Sequence, residues 1–204
     1  MLEPFGLRVG SQTVGPATFY TGTFGTLYAR SFWPSLGTAL ASAAAGNGAP
    51  MLGLFNGYEH VNDPTFDGDA NNAVNCQDHP TPTDPSLYPA RAAAAAALAP
   101  DFGPLFAWGG LTCAVWPIPS ADMRIPTPVH APGAPPILVV GTTGDPATPY
   151  TWAQALAGQL DRGVLLTRVG VDHVAIFYSS CVRGWDDAYL VDLRTPPPGT
   201  VCAS

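Results

Sequence analysis

Apolar and polar positions change rhythm about two-thirds of the way along the chain. Ile137-Leu-Val-Val140 is an unbroken aliphatic run, the pattern of a strand covered on both faces in a parallel sheet. Gly141 to Pro149 follows as loop, and Tyr150 to Leu160 has the spacing of a helix. Gly163 then turns into Val164-Leu-Leu-Thr-Arg-Val169, a second strand. Gly170 to His173 is loop again, and Gly184–Leu193 predicts a closing helix. The order strand, helix, strand, helix makes one βαβ unit and a final helix, an α/β arrangement.

Upstream the pattern is looser. The first thirty residues are irregular, with weak strand character at Ala17–Tyr20. Leu36 to Ala45 predicts a helix, with Pro34 near its start and Gly46 just past its end. Residues 56–84, dense in Asn, Asp, Gly and Pro, predict loop, and Ala90–Leu98 a short helix. Five prolines between Pro126 and Pro136 make a stiff connector that suits neither helix nor central strand.

Composition narrows the classes. Of 204 residues 47% are hydrophobic and 11% charged, which excludes wholesale disorder. All eight basic residues are arginines, scattered singly from Arg8 to Arg194, and the net charge is −7. Phosphate neutralisation needs clustered cations, so nucleic acid is set aside as a partner. Ala92–Ala97 is too short and too weakly apolar to span a bilayer. Met1-Leu2-Glu3-Pro4 has neither the basic start nor the apolar stretch of a signal peptide. Yet Cys76, Cys113, Cys181 and Cys202 form an even set, which fits two disulfides and an oxidising, extracytoplasmic compartment. Exported-type cysteines without an export signal fit either a chain truncated at its N-terminus or a cytosolic one with free thiols, and of the two we expect a truncated product or an excerpt. Four cysteines allow three pairings. Cys76-x-x-His79 has ligand-like spacing, but no second short Cys/His pair completes a tetrahedral set, so neither metal nor cofactor is expected.

The candidate chemistry lies in the two loops after the strands. A right-handed βαβ crossover sets its strands side by side and parallel, so both loops leave the same edge of the sheet. Asp145 lies five residues past Val140, and His173 four past Val169. At that edge, where open α/β sheets bind ligands, an Asp can accept the imidazole Nδ1–H, fix its tautomer and stabilise the imidazolium. Each residue also has a plainer reading. Asp145-Pro146 is a turn-forming pair, and Asp172 is an alternative partner for His173.

Pro136-Ile-Leu-Val-Val-Gly-Thr-Thr-Gly-Asp-Pro-Ala-Thr-Pro-Tyr150, the loop Gly170-Val-Asp-His173, Ser179-Ser-Cys181 and the ending Pro-Gly-Thr-Val-Cys202 together resemble a known family. It is the C-terminal region of tripeptidyl-aminopeptidase-like serine peptidases, in the prolyl-iminopeptidase clan of the α/β-hydrolase superfamily. Trp33-Pro34 with Ala39-Leu40, Asn75-Cys-Gln-Asp78 and Cys113-Ala-Val-Trp-Pro117 resemble that family's lid and return. The resemblance implies residues 1–130 as lid and return segment. It implies residues 131–204 as the βαβα end of the hydrolase core, with its last two parallel strands. It implies Asp145 as triad acid, His173 as general base, and disulfides Cys76–Cys113 and Cys181–Cys202. The family loop usually reads Gly-His where this chain has Asp172-His173.

One member of a triad is not found. In α/β-hydrolases the serine sits in a Gly-x-Ser-x-Gly elbow ahead of the Asp and His. None of the serines before Asp145 (Ser11, Ser31, Ser35, Ser42, Ser86 and Ser120) is flanked in that way. Two readings follow. The first is a portion of a serine hydrolase that releases short peptides from free N-termini. It supplies acid and base, is inactive alone, and takes peptide only when complemented by a nucleophile-bearing half. On that reading Glu59 and Asp78 are candidate lid carboxylates for the substrate ammonium. The second is a non-catalytic, disulfide-stapled binding module or hydrolase remnant.

Overall fold

A computed structural model describes residues 6–61, 63, 65, 68–78, 81–118 and 128–203. The chain forms two compact units, Met1–Gly25 with Ser35–Ile125, and Thr26–Pro34 with Pro126–Ser204.

The first unit opens with an antiparallel hairpin, β1 (Leu7–Val9) and β2 (Gln12–Val14), and continues into helix α1 (Pro16–Leu27). The strand character expected at Ala17–Tyr20 is therefore corrected to helix. Thr, Phe, Tyr and Gly are poor helix formers in isolation, but tertiary packing overrides propensity. Tyr20 and Phe24 stand one turn apart and meet Phe102 and Phe106 edge-on, at 5.6 and 5.1 Å between ring centroids. Gly25 lets the helix close on its neighbour, since a Cβ there would come within 2.5 Å of the Tyr58 ring.

Helices α2 (Trp33–Ala44), α3 (Ala49–Tyr58), α4 (Gly68–Asp78), α5 (Tyr88–Leu98), α6 (Gly103–Gly109) and α7 (Leu111–Ala114) follow. Of the loop expected over residues 56–84, residues 56–58 at the end of α3 and 68–78 in α4 are helix instead. Asp69 in its first turn suits the helix dipole, and Cys76 is tied by a disulfide to Cys113 of α7. The core of this unit includes Tyr88, Met51, Ala39 and Val14, all buried. The Tyr88 hydroxyl lies 2.9 Å from the Gly110 carbonyl and 3.1 Å from that of Pro82, so its one polar atom is satisfied inside.

In the second unit, residues 128–136 run without helix or strand, as the prolines predict. Strand β3 (Ile137–Thr142), helix α8 (Tyr150–Gln159), strand β4 (Gly163–Arg168) and helix α9 (Ser180–Asp192) then form the expected βαβα order. β3 and β4 pair in parallel register from Ile137↔Gly163 to Thr142↔Arg168. A third strand, β5 (Val201–Cys202), adds in parallel to the far side of β4, so the expected two-stranded sheet has three strands. Two residues are too short to read as a strand from sequence; the Cys181–Cys202 bridge holds them there. α9 starts four residues earlier than expected because the Ser179 hydroxyl accepts the Val182 N–H as an N-cap. Leu166, Ala175, Val182 and Cys202 form the core, packed by Leu138, Val140, Ile176 and Trp185. Among the described residues no strand pairs with the second edge of β3.

Candidate active site

The loops after β3 and β4 are laced together by the main chain. The Thr143 N–H donates to Arg168 O at 3.0 Å, and the Gly144 N–H to Gly170 O at 2.8 Å. The next residue on the first loop is Asp145. Its Oδ1 accepts the N–H groups of Ala147 and Thr148, each at 2.9 Å, and its Oδ2 accepts the Thr148 hydroxyl at 3.0 Å. This is the self-bonded turn that an Asp-Pro pair favours. Here the turn also aims the carboxylate.

His173 Nδ1 lies 3.0 Å from Oδ2 and 3.1 Å from Oδ1 of Asp145. The Asp145 side chain is 5% exposed and that of His173 26%, so the acid is shielded and the imidazole reachable. Burial by itself would raise the Asp145 pKa. The Thr148 N–H, the His173 ring, the Ala147 N–H and the Thr148 hydroxyl outweigh it and hold the carboxyl below its ordinary value. Asp172, the alternative partner for His173, is engaged elsewhere. It meets Arg168 Nη2 at 2.9 Å and accepts the Arg30 N–H at 2.6 Å. The His173 main-chain N–H donates to Tyr28 O at 2.8 Å, and the Tyr28 ring stands edge-on to the imidazole at 5.1 Å.

A groove of about 480 Å³ opens beside the pair, walled by Val140, Thr142, Trp152, Leu156, Val174 and Asp186. Burial and the neighbouring Asp187 charge raise the Asp186 pKa. The cysteines pair as Cys76–Cys113 and Cys181–Cys202, with Cα atoms 5.0 and 5.7 Å apart. Cys76 is thereby spent as a metal ligand, and His79, its proposed companion, lies outside the described residues. Among the described residues no group of three or more His, Cys, Asp and Glu could hold a metal. None of the described helices is long and apolar enough to cross a membrane. Glu59 caps the end of α3 and Asp78 is the last residue of α4.

The sequence alone did not single out Thr148, Tyr28, Arg30 or Arg168. Thr148 had a signal, a hydroxyl three residues after an Asp. Tyr28 and Arg30 had none, because they reach the His173 loop from more than 140 residues away in the chain.

The depressed Asp145 pKa has a measurable consequence. A carboxyl with a lowered folded pKa adds stability that is present above its unfolded value, near 3.8, and is lost as pH falls through the folded one. Denaturant midpoints recorded against pH should therefore fall steeply below about pH 4. Asp145→Asn should flatten that fall; an unchanged slope would show that the bonds to Asp145 carry no linkage.

Comparison with known proteins comes to the same region. A family profile described as "TAP-like protein" matches residues 99–202. "Serine protease Hip1" of Mycobacterium tuberculosis is 37% identical over 207 residues, covering 98% of this chain and 38% of that protein. "Carboxylesterase B" of the same species is 34% identical over 213 residues, with the same two coverages. "Tripeptidyl aminopeptidase" of Streptomyces lividans is 32% identical over 102 residues, 48% of this chain and 18% of that protein. The chain thus spans about 38% of the length of the first two relatives.

Proposed function

We propose, from the premise that this chain belongs to the TAP-like family of the α/β-hydrolase superfamily, that it is the acid–base portion of a serine exopeptidase releasing short peptides from free N-termini. The observation that carries the reading is the 3.0 Å contact between His173 Nδ1 and the shielded Asp145 carboxylate at the ends of two parallel strands. In that geometry Asp145 holds the proton on Nδ1, and Nε2 is the nitrogen left to take a proton from a serine hydroxyl. The imidazolium that forms then returns its proton to the leaving amine. Asp145 lowers the cost of that charge without taking the proton itself. The nucleophile and the oxyanion donor next to it come from outside these 204 residues, since none of its serines sits in a Gly-x-Ser-x-Gly elbow.

Residues 131–204 serve as the end of the hydrolase core and residues 1–130 as lid and return segment. The two disulfides and the protease relatives favour an extracytoplasmic setting. The test is covalent labelling. Alone, the chain should resist a fluorophosphonate probe and leave tripeptidyl substrates intact. Joined to an elbow-bearing segment, it should be labelled at the elbow serine and release tripeptides. Stoichiometric labelling of a serine within the chain alone, or no activity in the joined protein, would overturn the reading.

A further inference from the structure

We propose that Asp172, through its buried ion pair with Arg168, is a positioning residue that sets the orientation of His173. The inference rests on the reading of His173 as general base. The two side chains are 6% and 3% exposed, with Arg168 Nη2 2.9 Å from Asp172 Oδ2. Withdrawing two charges from water is costly, and their attraction offsets the cost only when further hydrogen bonds complete the shell. That shell is incomplete, because Arg168 Nε is buried without a partner among the described residues. What the arrangement does supply is a fixed shape.

The loop wraps the guanidinium. Arg168 Nη1 lies 3.4 Å from the Asp172 carbonyl, and its Cζ sits 5.4 Å from the centre of the Tyr178 ring. A Cβ on Gly170 would fall 2.6–2.8 Å from guanidinium atoms, so any larger residue would have to displace the guanidinium. Burial alone would raise the Asp172 pKa. The Arg30 N–H, the Arg168 hydrogen bond and the two arginine charges outweigh it, so the carboxylate stays ionised. The very next residue is His173.

Two bonds then pin that residue to the segment at Tyr28. Asp172 Oδ1 accepts the Arg30 N–H, while the His173 N–H donates to Tyr28 O. Val174 beyond it is held at φ 63°, a left-handed conformation that a β-branched residue adopts only under constraint. His173 is therefore fixed from both sides, and Arg168 keeps a second carboxylate, one residue away, from competing with Asp145 for the imidazole. Asp172 is also the position at which the chain departs from the Gly-His of the family it resembles, and a glycine could offer neither of the two carboxylate bonds.

The decisive measurement is long-range proton–nitrogen NMR of His173 in the full chain with labelled histidine, assigned by its disappearance in His173→Gln. The unaltered chain should show one tautomer, Nδ1–H. Asp172→Ala combined with Arg168→Met removes both charges together, so no buried ion is left alone. In that variant the tautomers should mix and Nδ1–H exchange with water should quicken about tenfold or more. An unchanged tautomer and exchange rate in the folded variant would overturn the proposal. Should the variant not fold, amide exchange in the unaltered chain decides. The Arg30 and His173 N–H groups should be protected about a hundredfold or more, and exchange at unprotected rates refutes the pinning. These readouts need no catalysis, so absent peptidase activity with an intact tautomer effect would remove the functional reading and leave the positioning role standing.

Discussion

In the protein that joins this chain to a nucleophile elbow, Asp145→Asn is expected to lower kcat roughly ten-thousand-fold, and His173→Ala roughly a million-fold. The smaller substitution is the more informative. Asn can keep its Oδ1 on the Ala147 and Thr148 N–H groups, which hold that atom at 2.9 Å. The amide NH2 must then take the place of Oδ2 and face His173 Nδ1. A donor there forces Nδ1 to accept, which moves the ring proton to Nε2, where a base can no longer receive one. The loop geometry should survive while the tautomer inverts, so kcat should fall with little change in KM. His173→Ala removes the base outright and leaves only what binding and oxyanion donors supply. Steady-state kinetics on both variants, with fluorophosphonate labelling rates, check this. A loss below tenfold for Asp145→Asn would mean that this carboxylate does not set the tautomer.

Reduction of the disulfides is expected to have the largest effect on stability. On the loop-entropy account, a bridge across 21 residues contributes about 3 kcal/mol, and one across 37 residues somewhat more. Against a typical total of about 5–15 kcal/mol, losing both leaves little margin. The bridges lie in different units, so their effects should be separable. Cys181→Ala with Cys202→Ala should release β5 and loosen the core that Cys202 shares with Leu166 and Val182. Cys76→Ala with Cys113→Ala should free α4, whose composition does not sustain a helix unaided. Urea titrations of the two double variants and of reduced protein provide the comparison. Midpoints unmoved by dithiothreitol, with all four thiols shown free, would refute the expected contribution.

How much was legible beforehand follows a physical division. The two parallel strands announce themselves through the apolar runs Ile137–Val140 and Val164–Leu166, although the first runs on to Thr142 and the second stops at Arg168, one residue short of the expected Val169. Asp145 and His173 were legible for the same reason, since strand ends fix where their loops emerge. Helix α1 was not, because its stability comes from contacts of Tyr20 and Phe24 with residues some eighty positions away. α4 was hidden in the same way by a bridge to Cys113. The partners of Asp172 divide along the same line. Arg168 is only four residues off, but it ends a strand while Asp172 lies in a loop, so no helical spacing pointed to the pair, and the Arg30 N–H can be found only in three dimensions.

The lacing of the two loops through Thr143, Gly144, Arg168 and Gly170 bears on what a third group would have to do under the proposed function. Because main-chain bonds join the loops, Asp145 and His173 lose their relative freedom when the sheet folds, before anything binds beside them. A hydroxyl brought against them would have its own position to fix but not that of the pair. The same bonds would go on holding Asp145 against His173 in a lineage that had discarded the serine. Under the proposed function, the Asp145–His173 contact by itself is therefore no measure of activity.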